Sequence, residues 1–122
     1  MTDKKKQFID YLDASIQEAL GEEKKLLLDD RKDEAILVKI KGNIFGIFKK
    51  IFLAVTKNKN LEEQEIRASF LEKLETIPES WRASYENAKI HNDAEKILTE
   101  EIKLQTSDLI CNKFNELWGE KG

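Results

Sequence analysis

The chain is poor in the residues that interrupt or staple a fold. One cysteine, Cys111, in 122 residues excludes an internal disulfide framework. One proline and five glycines are too few for the many tight turns of a β-sandwich or an α/β protein. A single histidine, His91, removes the histidine sets of zinc and di-iron sites. The longest apolar run, Ile51-Phe52-Leu53-Ala54-Val55, falls far short of the ~20 residues that span a bilayer. The start, Met1-Thr2-Asp3-Lys4-Lys5-Lys6, is charged and leads into an amphipathic segment rather than an apolar signal core. A reducing cytoplasm is therefore the expected setting.

What remains is a chain that is 40% hydrophobic and 37% charged, too apolar for disorder and long enough for a real core. Its net charge of −3 is unevenly divided. Residues 1–60 carry 13 Lys and Arg against 10 Asp and Glu, whereas residues 61–122 carry 8 against 14. An acidic domain without a broad basic footprint argues against a nucleic-acid partner.

Apolar spacing predicts five helices in one domain spanning residues 1–122. The first runs from about Asp3 to Leu28, with Phe8, Leu12, Ile16, Ala19 and Leu26 on one stripe and Gly21 on the opposite side. Asp30 is the expected N-cap of the second helix, which continues to about Thr56. The polar loop Lys57-Asn58-Lys59-Asn60 follows, and Asn60 with Glu63 reads as a capping box for the third helix. That helix carries the stripe Ile66, Phe70, Leu74 and Ile77. Thr76-Ile77-Pro78-Glu79 repeats the cap pattern ahead of a fourth helix burying Trp81, Tyr85 and Ala88. The stripe stays in phase across Pro78, so one helix kinked there is the alternative. His91-Asn92-Asp93 reads as a tight turn, with Asp93 capping a fifth helix that ends near Trp118. Its stripe is Ile97, Leu98, Ile102 and Leu109, rotating later toward Ile110, Phe114 and Leu117. The expected fold is all-α, a mostly antiparallel bundle with the second helix central.

The sequence offers little chemistry. His91 falls in a polar turn, and Cys111 has no second histidine to activate it, while its neighbours Ile110, Asn112 and Asp108 make no electropositive pocket. The acidic clusters Asp29, Asp30, Asp33, Glu34 and Glu62, Glu63, Glu65 sit at helix starts, where dipole and capping physics place acids. Trp81 and Trp118 are expected to pack in the core. No catalytic residue, cofactor or metal ligand is assigned.

The second helix stands apart. Leu37, Ile40, Ile44, Phe48, Ile51 and Val55 form a core stripe. A second stripe of Val38, Phe45 and Phe52 recurs every seven residues about 100° around the helix, flanked by Gly42 and Gly46. A helix apolar on most of its circumference must be covered on most of it. A central place in a monomer would do so, as would a twofold dimer, a membrane surface or an apolar ligand beside the helix. The expectation carried forward is a protein that works through protein–protein contact or self-association. Its candidate interface is Val38, Gly42, Phe45, Gly46 and Phe52. An enzyme with an unrecognised polar pocket is the contrasting alternative.

Overall fold

The computed structural model describes residues 3–57 and 60–119. Met1, Thr2 and the Asn58-Lys59 centre of the predicted polar loop lie outside the described residues. Helix α1 (Lys4–Leu28) begins where the Asp3 carboxylate accepts the Lys6 amide at 3.1 Å. It passes through Gly21, which faces open space, and buries Phe8, Leu12, Ala19 and Leu26, with Ile16 half-buried.

The connection that follows departs from expectation. Asp30 does not cap the next helix; it terminates α1. Its backbone is left-handed, at φ 61°. The Asp30 N–H donates to the Leu27 carbonyl at 3.1 Å, and the Arg31 N–H donates to the Leu26 carbonyl at 2.8 Å. This pair of bonds is a Schellman motif, and aspartate tolerates the position glycine usually fills. Helix α2 (Lys32–Thr56) then starts from Arg31 with no side-chain cap bond, while Asp33 and Glu34 complement its positive end.

Helix α3 (Glu63–Thr76) also starts later than the sequence suggested. The capping box belongs to Glu62 and Glu65 rather than Asn60 and Glu63. The Glu62 N–H donates to the Glu65 carboxylate at 2.9 Å. This register places Leu61 just before the cap and Ile66 at the fourth helical position, the spacing of a hydrophobic staple.

Thr76 is likewise not a cap. Ile77 and Pro78 keep right-handed helical dihedrals into α4 (Glu79–Ile90), so α3 and α4 are two pieces of one helix interrupted at the proline. Pro78 has no N–H to give the preceding turn. Nearby, the Arg82 guanidinium donates to the Glu75 carbonyl at 3.0 Å. A second Schellman motif ends α4, with Asn92 left-handed at φ 53° and the Asp93 N–H donating to the Ala88 carbonyl at 2.9 Å. Asp93 then accepts the Lys96 amide and caps α5 (Ala94–Trp118), as expected.

Chain direction alternates, so both Schellman turns lie at one end of the bundle. At the other end the Lys4 carbonyl accepts the Trp118 indole N–H at 3.3 Å, and Lys4 pairs with Glu63 at 2.6 Å. Helix α2 packs against α1, α3 and α5, most extensively against α1, but α5 touches all four of the other helices, so the central place expected for α2 is shared with α5. The core gathers around one phenylalanine from each of α1, α2, α3 and α5. Phe8, Phe52, Phe70 and Phe114 place their ring centroids 4.8–6.3 Å apart, mostly edge to face. Such pairs add about 0.5–1.5 kcal/mol each beyond the burial itself.

Candidate interaction surface

The five candidate interface residues separate into three environments. Phe45 and Phe52 are core residues of the single chain, 3% and 0% exposed. Tyr11 meets the Phe45 ring at 6.0 Å, and Phe52 is enclosed by Phe8, Phe70, Phe114 and Trp118. Val38 and Gly42 face α1 across a small groove of about 130 Å³, lined also by Ile16, Ala19, Leu20 and Glu23. A Cβ on Gly42 would come within 3.2 Å of the Ala19 Cβ, so this glycine lets two helices of the same chain approach closely. Gly46 has open space where a Cβ would stand.

The surface that sequence reasoning missed lies at the end bearing the two turns. Leu28 is 87% exposed, Ile90 76%, Ile36 56% and Leu98 48%. Leu98 and Leu109 had been assigned to the core stripe of the last helix, yet both stand at the surface. The buried face of α5 is instead Glu100, Thr106, Ser107, Ile110, Phe114 and Trp118. Two polar residues can lie on this face because their hydroxyls are satisfied locally. Thr106 donates to the Ile102 carbonyl at 2.7 Å and Ser107 to that of Leu104 at 2.8 Å. The available signal was that α5 carries aliphatics on two faces, only one of which the bundle can cover.

Between the first turns of α2 and α5 lies a cleft of about 510 Å³, lined by Asp33, Ile36, Leu37, Ala94, Glu95, Leu98 and Thr99. Its lining is partly aliphatic, and the two charged groups in it are both carboxylates. Among the described residues neither Asp33 nor Glu95 forms an ion pair.

Among the described residues His91 and Cys111 stand apart from each other, each with its own local partner. His91 is exposed in its turn, with Nδ1 2.9 Å from the Asn87 carbonyl. Burial, aided by the nearby Asp108, pushes the Cys111 thiol above its ordinary range, against a weak hydrogen bond from Asn115. The thiol is thus held protonated, the opposite of what a nucleophile requires. Glu100 is 5% exposed, and Lys103 approaches only one of its oxygens, at 3.4 Å. Trp81 is half-buried rather than enclosed, lying between Phe48 and the Lys103 ammonium. Among the described residues no three His, Cys, Asp or Glu side chains gather to hold a metal ion, and no helix is long and apolar enough to cross a membrane. Compared with known families, curated proteins and solved structures, the chain matches none of them.

Proposed function

We propose that this chain is a non-enzymatic, cytoplasmic interaction module that engages a protein partner through the aliphatic surface at its turn-bearing end. The observation carrying this reading is the exposure there of Leu28, Ile36, Ile90 and Leu98. Large aliphatic side chains grouped at one end of a small domain are a mark of association. The test is a photo-crosslinking residue placed at Ile36, at Ile90 and at Ala68, an exposed position on α3, in the native cell. Discrete adducts are expected from the first two positions and none from the third. Equal adducts from all three, or none at all, would remove the reading.

Self-association through α2 is a second reading, favoured by Gly46. A mid-helix glycine costs about 1 kcal/mol against alanine, and among the described residues nothing stands within contact distance of a Cβ placed on it. Leu53, seven residues on, is exposed on the same side of the helix. Sedimentation at high micromolar concentration decides the matter: a dimer lost on Gly46→Leu supports the reading, and a monomer ends it.

A further inference from the structure

We infer that the cleft between the first turns of α2 and α5 is a docking groove for an amphipathic helix with basic flanks. The inference rests on the interaction-module reading above and specifies its partner. Ile36, Leu37 and Leu98 supply its aliphatic lining, and Asp33 and Glu95 its charged lining. Helix dipoles account for acids in a first turn. They do not account for Ile36 and Leu98 standing 56% and 48% exposed between those acids. The lined stretch, residues 33–37 and 94–99, covers about one and a half turns of each helix, roughly 8 Å. That length suits two apolar anchors one turn apart on a bound helix, the usual pattern of helix-in-groove recognition.

Charge selects the occupant. No Lys or Arg lines the cleft, and its two carboxylates lack an ion-pair partner among the described residues. Lysine or arginine beside the apolar anchors would pair with them, whereas an acidic helix would meet repulsion.

The experiment uses the full chain and a fluorescein-labelled peptide with leucines at helical i, i+3, i+4 spacing and lysines elsewhere, read by anisotropy. A twin with glutamates for lysines is the control. The lysine peptide should bind, more weakly as salt rises, and the glutamate twin should bind at least about tenfold less tightly. Ile36→Ser with Leu98→Ser should weaken binding about tenfold or more. Asp33→Asn with Glu95→Gln should abolish most of the salt dependence. Leu20→Ser with Leu53→Ser, on the α1–α2 face, should leave binding unchanged. Equal loss from that last pair, no preference between the peptides, or a dimer dissolved by Leu98→Ser would overturn the inference; the last outcome would make a second copy the occupant. Discrete crosslinks at position 36 without binding of the lysine peptide would defeat this inference and leave the module reading standing. Absence of crosslinks would defeat the module reading itself.

Discussion

The two ends of this bundle are built on different terms. At the end where Lys4, Glu63 and Trp118 meet, α1, α2, α3 and α5 each contribute an aromatic ring, and Phe8, Phe52, Phe70 and Phe114 are all fully enclosed. At the opposite end the chain is held by backbone: two Schellman motifs with Asp30 and Asn92 in left-handed conformation. Aliphatic side chains there, Leu28 and Ile90 above all, face outward. The difference is one of degree, since Leu53 stands exposed beside Phe52 while Leu26, Ala35 and Ala88 are buried next to the turns. The contrast locates the most densely packed part of the fold at the aromatic end.

The largest expected effect comes from the aromatic end. Phe70→Ala or Phe114→Ala should cost about 3–5 kcal/mol in denaturant unfolding, because an enclosed ring leaves a cavity as well as lost transfer energy. Leu98→Ser or Ile90→Ser should change stability by about 0.5 kcal/mol or less, as exposed substitutions do. Equal costs at both ends would erase the contrast. Trp81→Ala should fall between them, at about 1–2 kcal/mol, since its ring is half-buried.

Glycines sharpen the picture at smaller magnitude. Gly46→Ala should stabilise the chain by about 1 kcal/mol, since the new methyl meets nothing and helix propensity improves. Gly42→Ala should gain less or lose, because its methyl would press on Ala19 at 3.2 Å. A larger gain at Gly42 than at Gly46 would show that α1 and α2 do not approach there.

Much of the fold was legible in the sequence, and the reasons are particular. The stripe Phe8, Leu12, Ala19 and Leu26 has a single face, so 3.6-residue periodicity reads it directly. The apolar circumference of α2 shows that it is covered on several sides, as it is by α1, α3 and α5, but gave no sign that α5 would touch every other helix. The caps were less so. Asp30 suits both an N-cap and a left-handed C-terminal position, and only the backbone shows that it takes the second. Glu62 was passed over as a cap because Asn60, a stronger cap by residue type, stands two positions earlier. The second stripe of α2 needs cover, as its apolar character implied, but Phe45 and Phe52 find that cover within the chain, which periodicity alone could not tell from cover by a partner. The exposed cleft was hidden because periodicity reports which residues are apolar, and not whether a neighbour arrives to cover them.

Asp30 gives the next test in order of size. Aspartate in the left-handed region retains part of the roughly 1–2 kcal/mol cost of that conformation, which glycine would remove. Asp30→Gly should therefore raise stability by up to about 1 kcal/mol, where loss of an N-cap would have lowered it.

The smallest effect is in pH. Burial raises both the Cys111 thiol and the Tyr11 phenol above their ordinary values of 9.0 and 10.0, the latter against a hydrogen bond with Ser15. The folded chain therefore keeps protons that the unfolded chain would release. Their contribution is intact below pH 9 and is lost as pH rises through the raised values. Cys111 should also react slowly with a disulfide reagent at neutral pH until the chain is unfolded. Fast native labelling would mean that the thiol is neither buried nor protonated.

Native-state amide hydrogen exchange tests the contrast between the ends most directly. The slowest amides should cluster around Phe8–Leu12, Ile44–Phe52 and Ile110–Phe114, opening only with global unfolding. Those around Lys25–Leu28, Ile36–Val38 and Ile97–Thr99 should exchange through smaller, local openings. Uniform protection along α2 and α5 would contradict a bundle locked at its aromatic end and open at its turns.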